Sequence, residues 1–242
     1  MIKSLAYLIL VLSIAFAAAP FATDPFSGFT EDQLPIPQID PPAQPAGYAF
    51  AIWGVIYLWL VFSAFYGAAR RATAEDWHQM RLPLTISLAV GVPWLAIANA
   101  SAIWATVTIW IMAVFAILAL LRAPARDRWL AQAPVALYAG WLTAASCVSL
   151  ATVMSGYGIG PKPAGWAVTA IVIAFVIAWS THKRRRSAPE YLFAVVWALI
   201  GVVVANWAAD GFVAVLAALG AVLLTIRALS KINETPPPGL YR

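Results

Sequence analysis

An all-α integral membrane protein of about eight transmembrane helices is the fold class this chain predicts, on three observations. Its apolar residues come in blocks of roughly 17–23, long enough to cross a hydrocarbon core of about 30 Å. Charged residues are only 10% of the 242 and fall almost entirely between the blocks, with a mean hydropathy of +0.82; a soluble domain usually carries about 25%. No block alternates with the period of two expected of a membrane barrel strand, so helices remain as the structures that satisfy every backbone group in lipid.

The spans follow in order. The first covers residues 4–20, where Lys3, an apolar stretch and Ala15, Ala17, Ala18 and Ala19 also fit a secretory signal peptide. We expect it to be retained. Cleavage would leave seven helices, but no Lys lies inside a late span to hold retinal, so a rhodopsin reading is rejected. Residues 21–46 contain Pro25, Pro35, Pro37, Pro41, Pro42 and Pro45, through which helix cannot persist. This stretch reads either as a lid over the bundle or as a solvated connector. Spans two to five cover residues 47–69, 82–98, 102–121 and 131–154. Gly156, Gly158, Gly160, Pro161 and Pro163 then interrupt the chain before three simpler spans at 164–181, 190–207 and 211–229. The domain reading is therefore 1–154, a five-helix unit with its long loop, and 155–242, a three-helix extension with a short tail.

Charge placement tests that count. With Lys3 on one side, the same side collects Arg70, Arg71, Arg81, Arg122, Arg126, Arg128, Lys183, Arg184, Arg185, Arg186, Arg227, Lys231 and Arg242, which is 14 of the 15 basic residues. Lys162 alone falls opposite, with Asp24, Glu31, Asp32, Asp40 and Asp210. The positive-inside rule then puts both termini in the cytoplasm, and we expect a bacterial cytoplasmic membrane. The formal charge of +5 is explained by topology and by anionic headgroups; no nucleic-acid partner is expected, and membrane lipid is.

Chemistry-bearing groups are sparse inside the spans. Intramembrane ionisable residues usually mark ion paths, yet His78 and His182 are expected in cytoplasmic loops and Asp210 at a helix junction. Two separated His and the single Cys147 form no metal-ligand spacing, no intrachain disulfide is possible, and no phosphate loop, paired-carboxylate motif or nucleophile elbow occurs. No enzyme activity and no required cofactor is expected. Trp, by contrast, occurs 12 times. Trp77, Trp129, Trp166 and Trp207 are expected at the interfacial belt. Trp53, Trp94, Trp110, Trp141 and Trp197 fall deeper, where indoles line a pocket for a flat apolar guest or pack between helices.

The segment Pro45, Gly47, Tyr48, Phe50, Trp53, Tyr57 resembles the P-P-G-W-x-F-P-x-x-W-x-x-x-Y signature of the tryptophan-rich sensory protein/translocator protein (TspO/MBR) family. Here Tyr48 replaces the first Trp, Ala51 replaces the second Pro, and the spacing is one residue shorter. Tyr138, Trp141 and Ala145, with Pro134 four residues before the Tyr instead of beside it, resemble the family's P-Y-x-x-W-x-x-x-A, with Val148 and Ser149 where Leu-Asn is usual. Trp94 resembles the Trp of L-N-x-x-W, with Gly91 in place of Asn. The resemblance covers about residues 1–154 and implies a TspO-like five-helix bundle with three appended helices. It also implies a pocket under the first loop that binds porphyrins, sterols or synthetic aromatic ligands. The ligand-binding residues it implies are Tyr48, Phe50, Trp53, Tyr57, Trp94, Tyr138, Trp141 and Ala145, with a tetrapyrrole or other apolar molecule as guest and no metal.

Three functions compete. The first is a binding protein (sensor, regulator or carrier) for a flat hydrophobic molecule such as a tetrapyrrole, sterol or isoprenoid. The second is a secondary transporter of a small neutral or amphipathic solute, favoured by Gly91, Pro93 and the Gly/Pro-rich stretch at 155–163. The third is a structural subunit, homo-oligomeric or in a larger complex, docking through small residues such as Gly201, Ala205, Gly211 and Gly220.

Overall fold

The computed structural model describes residues 2–230; Lys231 and Arg242, counted above with the basic side, lie outside the described residues. Among them, nine α-helices and no strand form: α1 Ile2–Ala22, α2 Ile52–Arg70, α3 Glu75–Gly91, α4 Trp94–Ala100, α5 Ala102–Arg122, α6 Gln132–Gly156, α7 Pro163–Arg184, α8 Pro189–Asn206 and α9 Gly211–Leu229. Helices α3 and α4 together make one span, so eight segments are long and apolar enough to cross a membrane.

Local chemistry sets the boundaries. Pro163 and Pro189 stand in the first turns of α7 and α8, where a missing N–H costs nothing. Asp210 caps α9, accepting from the N–H groups of Phe212 and Val213 at 3.2 Å each. The third span breaks before Trp94 because Pro93 has no N–H to continue the ladder. That span also begins earlier than expected, at Glu75 rather than residue 82. Glu75 and Asp76 in its first turn favour the positive end of the helix dipole.

Four residues stand elsewhere than expected. His78 is helical, and His182 is buried in the last turn of α7, not in a loop. Trp77 is buried at 2% exposure instead of anchoring at the interface, because its N–H donates to Asp127 at 3.2 Å. Arg81, within the span, is 1% exposed and donates to the carbonyls of Arg71 and Ala72, closing the chain just past α2.

Helix α6 is the hub of the bundle. Of its apolar stretch 78% is buried, against 28–50% for the other spans, and it packs on α2, α5, α7 and α8. The reason is its content of small residues, which let backbones approach. A Cβ on Gly140 would lie 2.2 Å from the Tyr191 carbonyl oxygen, so α8 sits directly on α6 backbone. Hydroxyls join the neighbours: Thr143 to Tyr191 at 2.7 Å and Ser146 to the Ile109 carbonyl at 3.2 Å. One hydrophobic core runs from Ile9 and Phe16 of α1 to Leu224 of α9. The first span is thus packed into the bundle, with Ala6, Ile9, Ser13 and Phe16 buried.

Candidate functional site: an aromatic cavity under the proline-rich segment

The helices alternate in direction, so the bundle has two ends. One gathers Arg70, Arg71, Arg122, Arg126, Arg128 and the 183–186 run; the other carries the segment 21–46. We call them the basic end and the lid end.

At the lid end a cavity of about 280 Å³ opens between α1, α2, α4, α5, α6 and α8. Its longest wall is one face of α6: Trp141, Ala145, Val148, Ser149 and Thr152 recur at helical spacing. At 1.5 Å per residue this wall descends about 16 Å. Because α6 climbs towards the lid end, Trp141 lies deepest and Thr152 nearest the mouth. Helix α2 runs the other way, so the wall formed by Phe50, Trp53 and Tyr57 is entered from the top.

The deep part is a cage of rings. Trp53 stacks on Tyr57 with centroids 5.3 Å apart, and Phe16 meets Trp53 at 5.8 Å and Tyr57 at 5.1 Å, edge to face. Trp141 stands edge-on to Trp53 at 6.1 Å and to Phe50 at 6.0 Å. Such pairs each contribute about 0.5–1.5 kcal/mol beyond area burial, which holds the walls in place without filling the space between them. Trp94 is pinned by its N–H to the Ala105 carbonyl at 3.0 Å. The N–H of Trp141 is buried without a hydrogen-bond partner among the described residues.

The roof is the proline-rich segment, folded back as a lid. Asp24, Pro25, Phe26 and Phe29 line the cavity from one side and Gln44 and Pro45 from the other. Phe26 meets Trp94 at 5.3 Å, and the Gln44 amide donates to the Ser27 carbonyl at 3.2 Å, tying the halves together. Gly28 has φ +139°, and Gln44 is so close that a Cβ would meet its amide oxygen at 2.8 Å. Five further hydrogen bonds strap the segment down. Gln33 donates to Ala98 O at 2.7 Å, Asn99 to Asp24 O at 3.1 Å and Ile36 N to Gly156 O at 2.8 Å. On α8, Asn206 donates to Pro42 O at 2.9 Å and Gly201 O accepts from Ala46 N at 3.0 Å.

Of the residues the sequence nominated, Phe50, Trp53, Tyr57, Trp94, Trp141 and Ala145 line the cavity. Tyr48 does not: it stands two positions from Phe50 in the helical turn Gly47–Ala51, and residues two apart on a helix do not share a face. Its ring, 45% exposed, packs on Trp197 at 5.6 Å. Tyr138 lies one turn below Trp141, fully buried beneath the Phe16 ring, with its hydroxyl 2.9 Å from that of Ser87. It supports the floor. Sequence reasoning missed Phe16, which looks like any apolar residue of its span, and Phe26 and Phe29. The last two carry a usable signal, being aromatic residues three apart in a polar, Pro-rich stretch.

At the basic end the described residues are closely packed. Trp77, Met80, Leu84, Leu88 and Tyr138 fill it. Asp127, in the α5–α6 connection, accepts from Arg71 Nε at 2.6 Å and from the Trp77 N–H. The Arg71 hydrogen bond holds the Asp127 carboxyl below its ordinary range, against the opposing effect of burial. No group of three or more His, Cys, Asp or Glu able to hold a metal occurs among the described residues.

A family model described as TSPO-like protein matches residues 2–230. The match does not stop at residue 154: it takes in α7, α8 and α9, which the short motifs alone left without a counterpart. No curated protein matches, and no solved structure does.

Proposed function

This chain belongs to the TSPO-like protein family, and on that premise we propose that it is a membrane-embedded binding protein for a flat hydrophobic molecule, a tetrapyrrole, sterol or isoprenoid. It acts as a sensor, regulator or carrier in a bacterial cytoplasmic membrane, with both termini cytoplasmic and the lid on the outer side. The observation that carries the reading is the ring-lined cavity under the lid, whose walls are mainly apolar and whose deep part holds no charged residue among those described. Desolvating a planar apolar guest there gains roughly 25 cal/mol for each Å² removed from water, and the rings set its orientation.

The test is a titration of purified protein in detergent with protoporphyrin, a sterol and a carotenoid, read by Trp fluorescence. Saturable quenching by one of them is expected. Trp53→Ala and Trp141→Ala are each expected to weaken it about tenfold or more, since each removes a large wall of the cage. Absence of saturable quenching by all three overturns the reading.

A second reading, transport of a small neutral solute, is favoured by the break between α3 and α4 at Pro93, a discontinuity of the kind moving helices use. The dense packing of Trp77, Met80, Leu84 and Tyr138 at the basic end weighs against it. Gradient-driven uptake of the bound molecule into proteoliposomes would favour transport, and binding without uptake favours the first reading.

A further inference from the structure

We infer, resting on the binding reading above, that the guest enters apolar end first and bears no negative charge at its outward end. The ligand class is a flat neutral or monocationic amphiphile, not a carboxylate-bearing macrocycle. Three observations converge on this.

First, polarity is graded along the cavity. Phe16, Trp53, Tyr57 and Trp141 form the deep part, whereas Asp24, Gln44 and Thr152 stand at the mouth. The deep part offers a guest the unpartnered Trp141 N–H but no charged group, so a charged or strongly hydrated end is better solvated outward, at the mouth.

Second, the charge at the mouth has one sign. Among the described residues no Lys, Arg or His lines the cavity, and Asp24 is the one charged residue that does. The wider lid end repeats the bias, with Asp24, Glu31, Asp32, Asp40 and Asp210 against Lys162. Helix dipoles do not reverse it: α2, α5, α7 and α9 begin at this end while α1, α4, α6 and α8 finish there, so their end charges offset. A guest carboxylate would find no cation to pair with and would face repulsion on approach, whereas an ammonium is steered in.

Third, the volume of about 280 Å³ lies at the lower edge of the range of roughly 300–1,000 Å³ for small-molecule pockets. That suits a few fused rings.

The experiment uses the full chain in neutral detergent with three probes of one body, 1-pyrenylmethylammonium, 1-pyrenemethanol and 1-pyrenecarboxylate, read by Trp-to-pyrene energy transfer at low salt and pH 7. Saturable binding is expected for the cation and the alcohol, with the carboxylate about tenfold weaker than the cation. Asp24→Asn is expected to reduce the advantage of the cation over the alcohol by about three- to fivefold, the size of a solvent-screened charge contact, and added salt to shrink it likewise. Asp24→Lys should bring the carboxylate level with the alcohol. A carboxylate that binds wild type as tightly as the alcohol overturns the inference, as does binding of none of the three. The two readings fail separately: protoporphyrin binding tighter than its dimethyl ester sinks the charge inference and leaves the cavity reading standing. Loss of all saturable binding, pyrenes and tetrapyrroles together, sinks both.

Discussion

At the basic end, the connections between helices are joined by charged groups: Arg71 to Asp127 at 2.6 Å and Arg128 to Glu190 at 2.5 Å, with Trp77 and Arg81 packed beneath. At the lid end, strapping is done by neutral amides on backbone carbonyls, from Gln33, Gln44, Asn99 and Asn206. Charged hydrogen bonds are stronger than neutral ones, which contribute only about 0.5–1.5 kcal/mol each. The same bundle is thus clamped where nothing has to enter and lightly tied where the cavity lies. The proposed binding function, with access from the lid end, calls for that difference: a fixed floor and a roof held by weaker ties.

The largest expected effect removes what both ends share. Gly140→Ala places a Cβ against the Tyr191 carbonyl, and backbone cannot move aside as a side chain can. Overpacking of this kind costs about 1–3 kcal/mol. A clear loss of thermal stability in detergent is expected, together with weakened ligand binding as α8 and its lid straps shift. Unchanged melting would mean that α6 is not the common support of the two ends.

Breaking only the clamp comes next. Asp127→Asn leaves Arg71 and the Trp77 N–H without their carboxylate, so the melting temperature should fall by a few degrees while ligand affinity at the far end stays within about twofold. The carboxyl of Asp127 has a folded pKa below its unfolded value. Its contribution is therefore present above the unfolded pKa of about 4 and lost as pH falls through the lower folded value. Wild-type stability should drop below about pH 4, and the variant should lack that part of the drop.

The smallest effect is a single strap. Asn206→Ala frees the Pro42 carbonyl, a loss of about 1 kcal/mol. Hydrogen exchange at the amides of Ala46 and Ile36 should quicken, while amides near Asp127 do not change. Equal acceleration at both ends would erase the distinction between clamp and strap.

Much of this architecture was legible in the residues. Eight spans could be counted because bilayer thickness sets their length, and the two ends could be told apart because charges sort to opposite sides. Misreadings clustered where tertiary contacts overrode local character. Glu75, Asp76, His78 and Arg81 look like a loop, yet they extend a helix whose Trp77 and Arg81 find partners in the α5–α6 and α2–α3 connections. Six of eight nominated site residues line the cavity because helical spacing carries them to a shared face. Tyr48 faces away from Phe50, two positions along the same turn, onto Trp197, and Tyr138 lies below the cavity floor.

Span number, the sidedness of charge and the aromatic faces of α2 and α6 follow from short-range facts: segment length, residue type and helical period. The cavity itself does not. Its existence depends on Phe16 of α1 reaching Trp53, on residues 21–46 folding back over the mouth, and on α8 supplying the carbonyl and amide that hold that roof. These contacts join positions far apart in the chain, and no period or composition along it encodes which partner each will meet.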